Sequence, residues 1–386
     1  MTKERVFVFC TVVLLVCVSL WIPNKGEAQK LPEFRIGMLP DLSGGAPDSG
    51  TAQRAGFLLG ADEYNKNPKR KFNIKPVVYD DQCKSDKAIS LFIRQIEQDK
   101  IHAHLSTTCS GSVAAIMEHL QKNKIVIVNP MNSFGDFSLK YKNEPYSYLF
   151  RHQASDIVMG QTIGEWTVKA GYKKIGVIYE TTGFGTAGAD AFEDYLAKTY
   201  GTKLVAKIPV KFAQTEVTAE VTKLKDAGAD AVCVYAYAVA AAQIYIAMDR
   251  MNYRPQIVGP VSLSQPSYVK LAGADRNEGI RVYMNFNRNT EEGKAFVQKL
   301  IEFAGTVVAD IAPHWSATAY DSTRMLIQAA EAVGIGKQEQ MVRYLENFTF
   351  DGPTWHGKPF TREDHDSFKP KNSWMAVYRK GVLVTE

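Results

Sequence analysis

Two doubly wound α/β lobes are the fold class that this 386-residue sequence predicts, on three observations. Short runs rich in β-branched and apolar residues alternate with amphipathic runs almost throughout, as in parallel sheets covered by helices on both faces. Some short runs are apolar nearly without interruption, such as "KKIGVIYE" (173–180) and "ADAVCVYAY" (229–237), which suits strands buried on both sides. The chain is also too long for one typical hydrophobic core, so two domains are expected.

The first set of elements opens with the strand "FRIGML" (34–39). A helix over 51–67 follows, with Ala55, Leu58, Leu59 and Ala61 as its apolar positions. "FNIKPVVYDD" (72–81) reads as a strand, and 85–100 as a helix with Ser85 as its N-cap. "IHAHLSTT" (101–108) is a strand, "SGSVAAIMEHLQKN" (110–123) a helix, and "KIVIVNP" (124–130) closes the set. The second set begins after "YSYLFRHQASD" (146–156). Helices are expected over 156–171, 187–201, 216–228 and 238–252, and strands over 173–180, 203–210, 229–237 and 255–260. The tail from Phe350 is richer in Pro, Gly and charge and holds one more strand-like run, "SWMAVYRKGVLV" (373–384).

Lys3 and Arg5 precede an apolar run from Val6 to Ile22, with small residues at Gly26 and Ala28. That order predicts a cleavable secretory signal over 1–28. The run lies at the lower limit for a membrane span, and no later run approaches it. Lys and Arg total 46 against 41 Asp and Glu, a net charge of +5, with no basic block, so a nucleic-acid partner is not favoured. Beyond the leader the cysteines are Cys83, Cys109 and Cys233. Cys233 lies inside a buried strand and reads as a small hydrophobe. That leaves Cys83 and Cys109 as the pair an exported protein can oxidise, closing a loop for about 3–4 kcal/mol on the chain-entropy picture.

Enzymatic readings fail one by one. "GFGTAG" (183–188) matches G-x-G-x-x-G between strand and helix, but the next strand ends in Pro209, Val210 and Lys211 without the acid that grips a ribose. Cys109 as a nucleophile needs a thiolate, which a disulfide removes. Ser110 lacks the G-x-S-x-G elbow. His102, His104, His356 and His365 have no further ligands at matched spacing and read as isolated histidines on exposed edges, so no metal site is expected. No cofactor is expected either, and the chain reads as a non-enzyme. The stretch "TTCSGSVAAIMEHLQ" (107–121) instead suits holding an anion. A helix N-terminus presents free N–H groups and partial positive charge, and Ser110 and Ser112 add hydroxyls beside Gly111. An ordinary N-cap is the competing reading.

A resemblance bears on that choice. "IGMLPDLSGGAPDSGTAQRAGFLLGADEYN" (36–65), "YDDQCKSD" (79–86), "CSGS" (109–112), "IVIVNP" (125–130), "KKIGVIYETTGFG" (173–185) and "ATAYDS" (317–322) are similar, in order and spacing, to the periplasmic branched-chain amino acid (Leu/Ile/Val) binding protein family. The resemblance covers essentially the whole chain beyond the leader. It implies solute receptors of ABC importers, with the type I periplasmic-binding-protein fold of two α/β lobes joined by three crossovers and closing by a hinge motion. The crossovers would fall near Arg151, Tyr283 and Asp351. Lobe I would comprise 31–151 plus 284–350, and lobe II 152–283 plus 351–386. The resemblance also implies a periplasmic, monomeric protein, a permease partner in the inner membrane, and the Cys83–Cys109 disulfide. Ser110, Ser133 and the backbone at Met131 would hold a ligand carboxylate, with Phe184 and Tyr237 closing from the second lobe.

Two positions depart from the family pattern. Where amino-acid binders carry a glutamate for the ligand ammonium, in a "GPE" turn, this chain reads Gly259, Pro260, Val261. Ser49 stands where several relatives place an aromatic residue, and Ser262 and Ser264 offer alternative hydrogen bonds. The ligand is therefore expected to keep a carboxylate without needing an α-amino group, as in an aromatic or short organic acid. The alternatives are that Asp41 or Asp48 replaces the glutamate for an amino acid, or that the ligand is an amide or urea. Sensing in a signalling system, and hydrolysis by an exported enzyme, are the competing functions for the same chain.

Overall fold

The computed structural model describes residues 31–273, 277–306 and 313–385, so the expected signal peptide lies outside the described residues. The first sheet contains β1 (Glu33–Leu39), β2 (Asn73–Val78), β3 (Ala103–Thr107), β4 (Ile127–Asn129) and β5 (Leu149–Arg151). Its order is β2-β1-β3-β4-β5, all parallel. The second contains β6 (Ile175–Glu180), β7 (Ala206–Val210), β8 (Ala231–Tyr235), β9 (Gln256–Gly259) and β10 (Arg281–Met284). These run β10-β9-β8-β6-β7, the same winding as the first sheet. β11 (Phe350–Gly352) and β12 (Trp355–Gly357) form a separate hairpin. β13 (Trp374–Arg379) and β14 (Val382–Thr385) extend the second sheet antiparallel beside β10. The doubly wound class is therefore observed, with an antiparallel edge added to one sheet.

The central strands β3 and β8 are buried at every residue, which is why their sequences show no alternation. Helices flank them with apolar stripes; on Ser85–Glu97 the buried positions are Ala88, Phe92 and Gln95, one per turn. Ser85 is the first residue of that helix, and the N-cap position falls on extended Lys84, whose side chain makes no cap. The tail run expected as one strand is two, because Lys380 and Gly381 both take positive φ (51° and 76°) and reverse the chain in two residues. A lysine in that left-handed position hides the turn from sequence inspection. The helix Pro313–Val333 was also not assigned from sequence. Its first eleven residues are all buried, and only in its second half do Arg324, Gln328 and Glu331 leave a polar face. It lies hard against the helix Pro47–Lys66: Ser316 Oγ donates to the Ala52 carbonyl at 2.7 Å, and a Cβ on Gly56 would meet the Ser316 oxygen.

His104 and His365 correct an expectation. Both are buried rather than on exposed edges, because β3 is central and the tail folds back over β5. His104 packs edge-on against Phe92, and His365 stacks on Phe150. His356 is exposed and pairs with Asp351.

Three passages link the sheets: after β5, after β10, and in the tail before β13. The tail stays beside the first sheet beyond Asp351, since Arg151 N–H donates to the His365 carbonyl (2.8 Å) and Ser367 N–H to the Arg151 carbonyl (3.0 Å). Arg151 is fully buried here. Its Nε donates to Asp366 Oδ1 at 3.0 Å, its Nη2 pairs with Asp366 Oδ2, and its Nη1 reaches the Phe134 carbonyl at 2.6 Å. His152 bridges Ser367 and Thr354 with its two ring nitrogens (2.9 and 2.7 Å), and Thr354 in turn bonds Asp321. Burial lowers the His152 pKa to about 3, so this bridge is made by a neutral ring. Removing one partner of a buried ion pair leaves the other charge uncompensated. Asp366→Ala is therefore expected to lower unfolding stability by about 3–5 kcal/mol, read by urea unfolding, and Arg151→Met with Asp366→Leu to recover much of it. An Asp366→Ala loss under about 1 kcal/mol would show that the pair is not what holds the passages together.

Candidate functional site

In doubly wound sheets, a crevice opens at the carboxyl ends of the strands where the winding reverses. Here the reversal lies between β1 and β3 in one sheet and between β6 and β8 in the other. One enclosed cavity of about 20 Å³ is lined by the segments leaving these strands. Thr108 and Ser110 follow β3, Met131, Asn132 and Ser133 follow β4, and Gln153 follows β5. Phe184 follows β6, Tyr237 follows β8, and Val261, Ser262 and Gln265 follow β9, with Met159 and Trp315 completing the lining.

Ser110 opens the helix Ser110–Lys122, and its backbone stands near enough to the Tyr237 hydroxyl to act on its pKa, so a side chain of the second sheet meets a helix N-terminus of the first. The Cys83–Cys109 disulfide, with Cα atoms 5.3 Å apart, ties the turn before that helix to the loop after β2. Cys233 is free and buried. The helix Gly183–Tyr200 brings its own N-terminus to the same place: a Cβ on Gly183 would lie 3.2 Å from the Gly111 nitrogen. The glycines of "GFGTAG" serve this packing. A Cβ on Gly185 would strike the Glu180 carbonyl and one on Gly188 the Tyr235 ring, while Thr182 caps the helix by accepting from Gly185 N–H at 3.0 Å. Phe184 packs on Tyr235 and Tyr237 with centroids 4.9 and 5.1 Å apart, and Phe212 meets Tyr237 edge-on.

Of the residues singled out from sequence, Ser110, Met131, Ser133, Phe184, Tyr237 and Val261 come together in this cavity. The Met131 N–H already donates to Asn129 Oδ1 at 3.0 Å. Ser49 is buried beside the cavity and accepts from Gln265 Nε2 at 3.0 Å, a contact that replaces bulk with a hydrogen bond between the two halves. Ser262 lines the cavity and bonds the Ala236 carbonyl; Ser264 does not line it. Thr108, Asn132, Gln153, Met159, Gln265 and Trp315 were missed. Thr108 and Asn132 adjoin named residues, whereas Gln265 and Trp315 lie in stretches whose elements the sequence did not reveal.

Among the described residues, no side chain lining the cavity carries a charge. The two acids considered as replacements for the missing glutamate are engaged elsewhere. Asp41 accepts from the backbone N–H groups of Gly44 and Ala46 (2.5 and 2.6 Å), and Asp48 from that of Ser267 (3.1 Å). Two buried carboxyls stand behind the lining. Burial raises Asp156 to about 7, with Ser133, Arg151 and Tyr235 pulling the other way. Burial likewise raises Glu180 to about 7, against the N–H groups of Tyr237 and Ala213, which it accepts at 2.8 Å each. Desolvation also drives the Tyr237 phenol upward, so it stays protonated.

A fold of two α/β lobes around a closed cleft, with its lining drawn from both switch points, defines a binding protein for a small solute. A family model described as periplasmic binding protein matches residues 33–380, and the chain belongs to that family, with the type I fold. It is 28% identical over 179 residues to an uncharacterized protein of Methanocaldococcus jannaschii, covering 46% of this chain and 43% of that one. It is 29% identical over 160 residues to an amino acid binding protein of Pseudomonas aeruginosa, covering 41% of each. The matches thus span under half the length of these curated relatives. Among solved structures, a type 1 periplasmic binding protein of Bordetella pertussis superposes with a TM-score of 0.83 at 19% identity, over 92% of this chain and 99% of the other. A branched-chain amino acid transporter substrate-binding protein of Streptococcus pneumoniae in complex with isoleucine gives 0.78 at 20%, over 92% and 98%. An ABC transporter solute-binding protein of R. palustris in complex with benzoate gives 0.79 at 19%, over 91% and 95%. These similarities establish the fold. Among the described residues, no helix is long and apolar enough to cross a membrane.

Asp156 supplies a pH signature. Its folded pKa of about 7 lies above its ordinary 3.8, so the folded state holds a proton that the unfolded chain releases. The stability from this group is fully present below about pH 4 and is lost as pH rises through about 7. Asp156→Asn removes that loss. Its melting temperature relative to wild type is expected to climb from pH 5 to pH 8; a flat difference would mean that Asp156 is ionised in the fold.

Proposed function

We propose that the chain is an exported receptor of an ABC importer. It closes two lobes, 31–151 with 284–367 and 152–283 with 368–386, on a small carboxylate-bearing ligand and delivers it to an inner-membrane permease. The last crossover is set after Ser367 because the tail is bonded to β5 up to there. The supporting observation is the cavity itself: a helix N-terminus and the hydroxyls of Ser110 and Ser133 face aromatic rings from the second sheet, with no charged side chain in the lining. A carboxylate meets N–H and O–H donors there and takes the place of the Tyr237 hydroxyl beside the helix N-terminus. About 20 Å³ holds little more than one water, so a ligand enters only when the lobes part and the Phe184 and Tyr237 rings withdraw.

The uncharged lining favours an acid without an amine. The relative crystallised with isoleucine holds an amino acid, and the one with benzoate an acid lacking the ammonium. Enclosing an ammonium beside Val261 without a counter-charge would cost several kcal/mol. Benzoate-like acids suit Phe184, Tyr237 and Val261 better.

The test is thermal unfolding of protein stripped of ligand by unfolding and refolding, against aromatic acids, aliphatic acids, amides and α-amino acids. An aromatic acid at 100 times its Kd is expected to add about 2.7 kcal/mol. Val261→Glu is expected to weaken that acid at least tenfold by setting a carboxylate against it. If leucine or another α-amino acid gives the largest shift, the amine-free reading is wrong.

A further inference from the structure

We propose that Trp315 is a specificity-determining residue whose indole N–H donates to a second, uncharged oxygen of the ligand, so that the preferred acid bears a hydroxyl or carbonyl on its ring. The inference rests on the carboxylate reading of the cavity. Trp315 lines that cavity and is 1% exposed, and its Nε1 finds no acceptor among the described residues. Buried donors are nearly always paired, so an orphan in a binding cavity marks the place of a ligand atom. An indole nitrogen donates and cannot accept, which fixes the partner as an acceptor.

Most neighbouring polar groups are engaged within the protein; the Gln153 amide nitrogen, whose Oε1 accepts from Ala154 N–H and Asn285 Nδ2, is a further donor in the lining. Ser262 Oγ donates to the Ala236 carbonyl at 2.8 Å, Asn132 Nδ2 to the Thr108 carbonyl at 3.0 Å, and Gln265 Nε2 to Ser49 Oγ at 3.0 Å. The indole is held in place: His314 packs on it with ring centroids 4.4 Å apart, and the next residue, Ser316, is tied to the helix Pro47–Lys66. With no cation in the lining, a second carboxylate would enter unpaired, whereas a hydroxyl or carbonyl oxygen brings an acceptor at no charge cost. A pocket built to hydrogen-bond a substrate oxygen discriminates strongly against an analogue lacking it.

Calorimetric titration of stripped wild-type protein and Trp315→Phe with benzoate and with its ring-hydroxylated forms tests this. Wild type is expected to bind one hydroxylated acid at least tenfold more tightly than benzoate. Trp315→Phe is expected to bring the two within about threefold, the hydroxylated acid losing at least threefold more affinity than benzoate does. A second readout needs no variant: in ¹H–¹⁵N spectra of wild type, the Trp315 indole resonance, assigned by its absence in Trp315→Phe, should move further with the hydroxylated acid than with benzoate. Equal affinities in wild type, or equal losses for both acids in the variant, overturn the role of Trp315 while leaving the carboxylate reading intact. If wild type binds none of these acids, the carboxylate reading falls and this inference with it.

Discussion

A buried arginine governs how the two sheets are joined. Arg151 ends β5 with its guanidinium out of water, and a charge so placed must be satisfied by the chain around it. Asp366, the Phe134 carbonyl and Ser138 Oγ provide that satisfaction, while the backbone of residues 365 and 367 pairs with Arg151's own backbone. The consequence is topological. Meeting Arg151 draws the tail alongside β5, and from there it reaches β13 at the edge of the other sheet. The His152–Thr354–Asp321 chain extends the same polar framework to the long buried helix of the first sheet. An apolar joint would pack as well, but directional bonds specify which strands of linker lie side by side.

On that joint, the two sheets present matching ends. Both reverse their winding at their first strand, so both aim loops and helix N-termini at one crevice. Specific contacts cross it: the Tyr237 hydroxyl beside the Ser110 backbone, Gln265 on Ser49, and glycine against glycine at 183 and 111. Each is weak alone, which suits the opening proposed for ligand entry. The buried acids Asp156 and Glu180 lie behind the lining and brace it through Tyr235 and the Tyr237 N–H. The carboxyls therefore shape the cavity wall without contributing charge to the lining.

Much of this was legible in the chain. Alternating short apolar runs and amphipathic runs determined the fold class, because strands buried on both faces and helices buried on one leave distinct periodicities. The residues at strand ends, Ser110, Met131, Ser133, Phe184, Tyr237 and Val261, were legible because their motifs sit directly after recognisable strands. Val261 in place of an acid was a local statement about charge, and the uncharged lining agrees with it. The tertiary structure alone decided what depends on distant segments meeting. Trp315 belongs to the cavity because its helix, whose first half is buried all round and shows no periodicity, packs on Pro47–Lys66. Asp41 and Asp48 are withdrawn from the site by backbone N–H groups, and the tail is held at Arg151 by residues over two hundred positions away. Periodicity records which face of an element is buried; it does not record against what.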